Sequence, residues 1–173
     1  MPLNIPTDAR TAAFKAIVNR LRTDGVLQNV IEKWSAMPLR GPGQGSNPGL
    51  KASDIPYMQI GVSAGPISVG SPSKHNTVLV VTLDYAVNAS GTDEESAWAD
   101  IINLYGQIEK AVGPFGDMAW LRDAIHAVDP TAVLFQIAIT QAGFTSTVLP
   151  DINALAARCT ISVPLKIDTC RSK

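Results

Sequence analysis

Two imidazoles, two thiols and a scatter of carboxylates are the groups in this chain that could do acid–base or nucleophilic chemistry. Nucleophilic catalysis needs a base beside the nucleophile and an orienting group beside the base. His75 sits in a Ser/Pro/Lys stretch and His126 follows Ile125, and neither lies near a Gly-x-Ser-x-Gly turn. Both read as solvated or structural. Cys159 falls on the apolar face of a strand pattern and reads as a small buried hydrophobe, whereas Cys170 belongs to a polar tail. No His, Cys or carboxylate spacing matches a zinc site, so no metal or cofactor is expected. Glycines are plentiful, yet phosphate-cradling loops fail on detail. Gly41-x-Gly43 meets Ser46 where the third glycine of a dinucleotide loop belongs, and Ser71 stands where a P-loop needs lysine after Gly65 and Gly70. Asp84 is a carboxylate inside a strand pattern; it reads as solvated or ion-paired, with an interface salt bridge as the other possibility. An enzyme is therefore not the expectation.

The elements that would carry these groups are legible from apolar spacing. Thr7 or Asp8 can cap a first helix with Phe14, Ile17, Val18 and Leu21 on one stripe. After Gly25, the spacing of Leu27, Val30, Ile31 and Trp34 predicts a second short helix, with a strand over 28–34 as the competing reading. Glycines and prolines then prevent regular structure, giving a flexible loop at about 37–55. A strand is expected over 56–63, a second flexible loop at about 64–76, and a long strand over 77–89 with Leu79, Val81, Leu83, Tyr85 and Val87 on one face. Thr92 and Glu95 match a capping box, and the helix that follows places Ala97, Ile101, Leu104, Tyr105, Ile108 and Val112 on one stripe before Gly113-Pro114 ends it. A shorter helix from near Asp117 packs Leu121, Ile125 and Val128. Two strands close the chain, one alternating from Val133 to Thr140 and one from Leu155 to Leu165, joined by a flexible connection at about 143–153. Pro164 cannot donate to a ladder and marks a strand end or an edge. The expectation is one α+β domain over 1–173, with one largely antiparallel sheet of about four strands packed by two or more helices.

Composition sets limits on function. The chain has 173 residues, 46% of them hydrophobic and 17% charged, with a formal net charge of −1. That excludes a disordered chain and a protein that grips nucleic acid by overall positive charge. No apolar run is long enough to cross a membrane, and the first residues carry no secretory pattern, so the cysteines are expected to be reduced. Asn88-Ala89-Ser90 matches a glycosylation sequon and reads as accidental on that ground. Charge is distributed unevenly. Residues 92–129 hold eight acidic and two basic side chains, whereas 1–35, 40–75 and 130–173 each carry a net +2. Two readings stand side by side: a solvated acidic helix face, or head-to-tail complementarity between copies. In the second, Glu94 and Asp100 would meet Arg40, Lys51 and Lys74 of a neighbour.

The order of these segments resembles a known family. A helix leads through a variable loop into Ile55-Pro56-Tyr57-Met58-Gln59-Ile60-Gly61-Val62; a long Leu/Val strand from Thr77 to Val87 follows; then a helix bearing Trp98, and a last strand running Ala157-Arg158-Cys159-Thr160-Ile161-Ser162-Val163-Pro164-Leu165. This is similar to the tail-terminator proteins of long-tailed bacteriophages, the minor tail protein U type, over roughly residues 7–167. The 41–49 and 143–152 connections look longer than that family's minimum. The resemblance implies a virion structural protein of the tail and neck, assembled in the host cytoplasm. Its copies would form a ring, a homohexamer, at the head-proximal end of the tail tube. The ring would stop polymerisation of the tube protein and join the head connector or stopper protein, while DNA passes its lumen without specific binding. Ring contacts would lie along 93–112 and in the Gly/Pro loops. Two alternatives stay open: another head–tail joining protein, and a small thioesterase-like enzyme with Asp84 in its site.

Overall fold

The computed structural model of the chain describes residues 7–35, 52–71, 74–89, 94–113, 116–140, 147–149 and 153–168. Helix α1 (Ala9–Arg22) starts where the Asp8 side chain accepts a hydrogen bond from the Thr11 N–H at 2.8 Å. It buries Ala9, Ala12, Ala13, Ile17 and Leu21, a stripe of small and branched residues, and carries Arg20 and Arg22 in its last turn, where cations suit the helix dipole. Helix α2 (Leu27–Val30) is a single turn, and strand β1 (Lys33–Ser35) follows it. Each competing reading of this stretch therefore holds for part of it. A 3₁₀ turn (Ala52–Asp54) leads into β2 (Tyr57–Ser71), which pairs with β3 (Lys74–Asn88).

The flexible loop expected at about 64–76 is not found: strand pairing runs through it to Ser71↔Lys74. The register slips between Ala64 and Ile67, and this leaves Gly65 and Pro66 out of the ladder. A proline that cannot donate is accommodated at such a bulge. The capping box at Thr92 lies outside the described residues. Helix α3 (Glu94–Val112) buries Ala97, Ile101, Leu104, Ile108, Ala111 and Val112. It stops at Gly113, whose φ of +59° is costly for any residue with a Cβ and whose N–H closes onto the Glu109 carbonyl at 2.8 Å. Helix α4 (Ala119–His126) begins where the Asp117 carboxylate accepts from the Ala119 N–H at 2.9 Å.

The strand expected as one piece from Val133 to Thr140 is broken into β4 (Val133–Leu134) and β5 (Ala138–Thr140). The cause is Pro164. Its carbonyl accepts from the Phe135 N–H at 3.1 Å, so its backbone faces this side, where it has no N–H to return. The register then shifts by one between Leu134↔Leu165 and Ala138↔Ser162. Pro164 does not end its own strand: β7 (Ala154–Asp168) passes straight through it. Within the connection expected at about 143–153, β6 (Thr147–Leu149) also pairs with β7.

The result is an α+β fold with one mostly antiparallel sheet in the order β1-β2-β3-β7-β4, with β5 and β6 also on β7 and β1 parallel to β2. Helices α1, α3 and α4 share one core with the same face of the sheet. On that face Leu79, Val81, Leu83 and Tyr85 of β3 lie beside Val163, Ile161, Cys159 and Ala157 of β7, all buried. The opposite face carries a smaller cluster of Ile55, Tyr57, Ala86 and Ala154, then turns polar.

Candidate functional site

The polar face of the sheet holds the strand carboxylate noted in the sequence. Asp84 and Arg158 sit directly opposite one another on β3 and β7. The guanidinium Nε donates to Oδ1 at 2.5 Å and an Nη donates to Oδ2 at 3.1 Å, a two-pronged pair. The pair is only part-buried: the Asp84 side chain is 22% exposed and Arg158 57%. On β2, Gln59 lies opposite Asp84 and is buried, and its Oε1 accepts from the Tyr57 hydroxyl at 3.3 Å. Burial raises the Tyr57 hydroxyl's pKa above its ordinary value, against the opposing effect of a hydrogen bond with Ser35 and the charge of Lys33. Lys33 itself is bonded to Asp54 at 2.8 Å. Sequence reasoning missed Tyr57 and Gln59, because alternation marks them as outward-facing but cannot show that they are covered.

The other candidates disperse. His126 Nε2 lies 3.0 Å from the Ala132 carbonyl; since a carbonyl only accepts, Nε2 carries the proton and the ring staples the end of α4 to the turn beyond it. His75 sits at the hairpin end of β3, opposite Val69 and Ile167. Cys159 is fully buried; burial, then the nearby Asp84 and Glu109 charges, pushes its thiol up to about 12, which suppresses the thiolate at neutral pH. Among the described residues no three His, Cys, Asp or Glu side chains gather as metal ligands would. A groove of about 330 Å³ lies between the α4 start and the β4–β5 link, lined by Asp117, Met118, Arg122 and Phe135 among others, and it is open to solvent. No helix of the described residues is long and apolar enough to cross a membrane.

Of the charges expected at an interface between copies, Asp100 is exposed on α3 and Glu94 begins that helix. Lys74 begins β3, opposite Ser71 and Asp168. Arg40 and Lys51 lie outside the described residues. A single copy does not bring Lys74 to Glu94. Lys74 is fourteen residues before Asn88, about 46 Å along the strand, and the six steps from Asn88 to Glu94 recover at most about 20 Å. The exposed basic side chains of α1 are Arg10, Lys15, Arg20 and Arg22. Comparison of the chain with protein-family models and with curated proteins gives no match.

Proposed function

We propose that this chain is a ring-forming virion assembly protein, a tail terminator that caps the head-proximal end of a phage tail tube and presents a surface to the head connector. The observation that carries the reading is the order of elements together with how they stack. A helix, a long two-stranded hairpin, a helix pair and a closing strand make one sheet whose α-helices all pack on one face. A unit of this build can meet its neighbours through two unlike sides, as a closed ring requires. Segregated charge supports the same reading. Asp100 and Glu95 are exposed on α3, while Arg10, Lys15 and Arg22 are exposed on α1. A near-neutral chain also lets DNA slide through a lumen without accumulating phosphate contacts.

Native mass measurement of the purified protein, alone and mixed with tail tubes, tests the reading. A ring that binds tube ends and fixes tube length is the expected result; a strict monomer that ignores tubes would overturn it. Replacing Glu94 and Asp100 together by lysine should weaken assembly several-fold at low salt, because complementary charge mainly sets encounter and register. Ring formation unchanged by that exchange would remove the charge-complementarity part and leave the ring. The alternative enzyme reading would act through Asp84, whose two oxygens each accept from the Arg158 guanidinium.

A further inference from the structure

Helices α1 and α3 carry opposite charge. α1 holds Arg10, Lys15, Arg20 and Arg22 and no acidic residue. From Glu94 to Glu109, α3 holds Glu94, Glu95, Asp100 and Glu109 and no basic residue. In one copy the C-terminal ends of the two helices meet. The Arg20 Nε donates to the Ala111 carbonyl at 3.0 Å, and Asp24, just past α1, accepts from Gln107 at 3.0 Å. The contact moves back along α3 from 111 to 107 as the chain advances from 20 to 24, so the pair is antiparallel and staggered. At a rise of about 1.5 Å per residue, Lys15 and Glu95 lie about 30 Å apart along the helix axes. Within one copy these two side chains cannot meet.

α3 also has a second seam beside its core stripe. Glu95, Trp98, Ile102, Tyr105 and Glu109 fall at alternating spacings of three and four, the spacing at which one helix lies along another. Gln107 marks the side of α3 that faces the end of α1, and Ile102, five residues earlier, points about 140° away from it. Ile102 is 53% exposed at the middle of the seam. Trp98 and Tyr105 on either side of it are half-buried against the core, and the Tyr105 hydroxyl is bonded to Glu109. The seam is thus apolar and aromatic at its centre and acidic at both ends. The outward face of α1 has the converse character. Lys15, Val18 and Arg22 share it, with a half-buried valine between two exposed cations. The Arg22 guanidinium lies 6.0 Å from the Trp34 ring, which closes the chain between them into a corner carrying the exposed Val26 and Val30.

We infer that the Trp98–Ile102–Tyr105 seam of α3 docks on the Lys15–Val18–Arg22 face of α1 in a second copy. The chain itself presents both halves of the contact. Ile102 meets Val18, and the glutamates that bound the seam meet the cations that bound the valine. Aromatic side chains at the centre and charges at the rim are the usual build of an interface, with the rim setting encounter and register. The stagger that keeps Lys15 from Glu95 in one copy leaves each for a neighbour. Two unlike faces meet, so every copy retains one α1 face and one α3 seam for further copies, and the contact is head-to-tail. The inference rests on the ring reading and names the surfaces that would build it.

Zero-length cross-linking of the full chain tests it, read beside native mass at dilute and assembling concentrations. An equal mixture of isotope-labelled and unlabelled protein is treated with a carbodiimide, which joins a lysine amine to a carboxylate in direct contact. Links from Lys15 to Glu95 or Glu109 that join a labelled to an unlabelled copy should rise at least about tenfold on assembly. The variant Ile102→Lys should stay folded by circular dichroism, because the side chain is exposed, and should weaken assembly at least about tenfold. An assembled protein without those mixed-copy links, or assembly that survives Ile102→Lys, would overturn the helix contact and leave the ring reading intact. A symmetric dimer or a strict monomer would overturn both. If the lysine variant does not fold, the cross-links of the unaltered chain decide alone.

Discussion

The two edges of the sheet are finished in different ways. Along β7 the chain returns three times, as β4, β5 and β6, so the strand is covered in short pieces over most of its length. Along β2, among the described residues, it returns once, for three residues. Both strands are fifteen residues long and both pair fully or nearly so with β3. The difference lies in what the helices can reach. They pack over β3 and β7, where every inward side chain from Leu155 to Leu165 is buried, and they leave Val62 of β2 half in solvent. The covered face therefore ends between β3 and the outer part of β2, where Val62 is 54% exposed.

The contrast is broken most severely by damaging the covered side. Leu83 is fully buried at the centre of β3, opposite Cys159. Leu83→Ala should cost about 2–5 kcal/mol, from lost burial plus the cavity left behind. Urea unfolding would measure it, and a loss below about 1 kcal/mol would mean that the covered face is not the seat of stability.

A smaller effect is expected at the hinge between α1 and α2. The Asp24 carboxylate accepts from the Val26 and Leu27 N–H groups at 3.0 and 2.9 Å and from the Gln107 side chain of α3 at 3.0 Å. Partial burial works to raise its pKa, but the Leu27, Gln107 and Val26 hydrogen bonds outweigh that and hold the carboxyl below its ordinary value. The carboxylate thus favours the folded state above the unfolded-state pKa, and that contribution fades as pH falls through the folded one. Asp24→Ala should cost about 1 kcal/mol at pH 7 and progressively less toward pH 2–3. Equal losses at both pH values would show that the hydrogen bonds, and not the charge, carry the effect.

The polar face is expected to matter less than either. A part-exposed ion pair contributes at most about 1 kcal/mol. A double-mutant cycle on Asp84→Ala and Arg158→Ala should return a coupling in that range, and neither change should abolish any turnover found in the protein. A coupling of several kcal/mol, or loss of a measured activity, would turn this face from sheet decoration into a site.

Much of this fold can be read from the sequence wherever one physical rule acts alone. Strict alternation from Leu79 to Val87 identifies β3 and its buried face, and Asp8, Asp117 and Gly113 bound helices as their chemistry requires. The reading fails where two rules compete. Gly65 and Pro66 read as a loop, yet the strand absorbs both in a bulge, where neither has to donate to the ladder with β3. Val133 to Thr140 reads as one strand, but its continuous partner β7 lacks a donor at Pro164, a residue thirty positions from Leu134. Candidate interface charges were legible as a pattern and not as a place. Lys74 and Glu94 sit at distant points of one copy, and the contacts of a single chain carry no mark of a partner.

The smallest effect sharpens the comparison most. Val62 and Val81 are cross-strand neighbours on the same face, one 54% exposed and the other fully buried. Valine and threonine have the same branched shape and similar strand preference, so Val→Thr at each position exchanges a methyl for a hydroxyl with little else changed. At Val81 the hydroxyl enters an apolar core and should cost about 1–3 kcal/mol. At Val62 in the dilute monomer the hydroxyl meets water, and the change should stay within about 0.5 kcal/mol. Paired thermal melts of both variants give the result. A large cost at Val62 in the dilute protein would place the edge inside the fold of a single copy and erase the difference between the two edges.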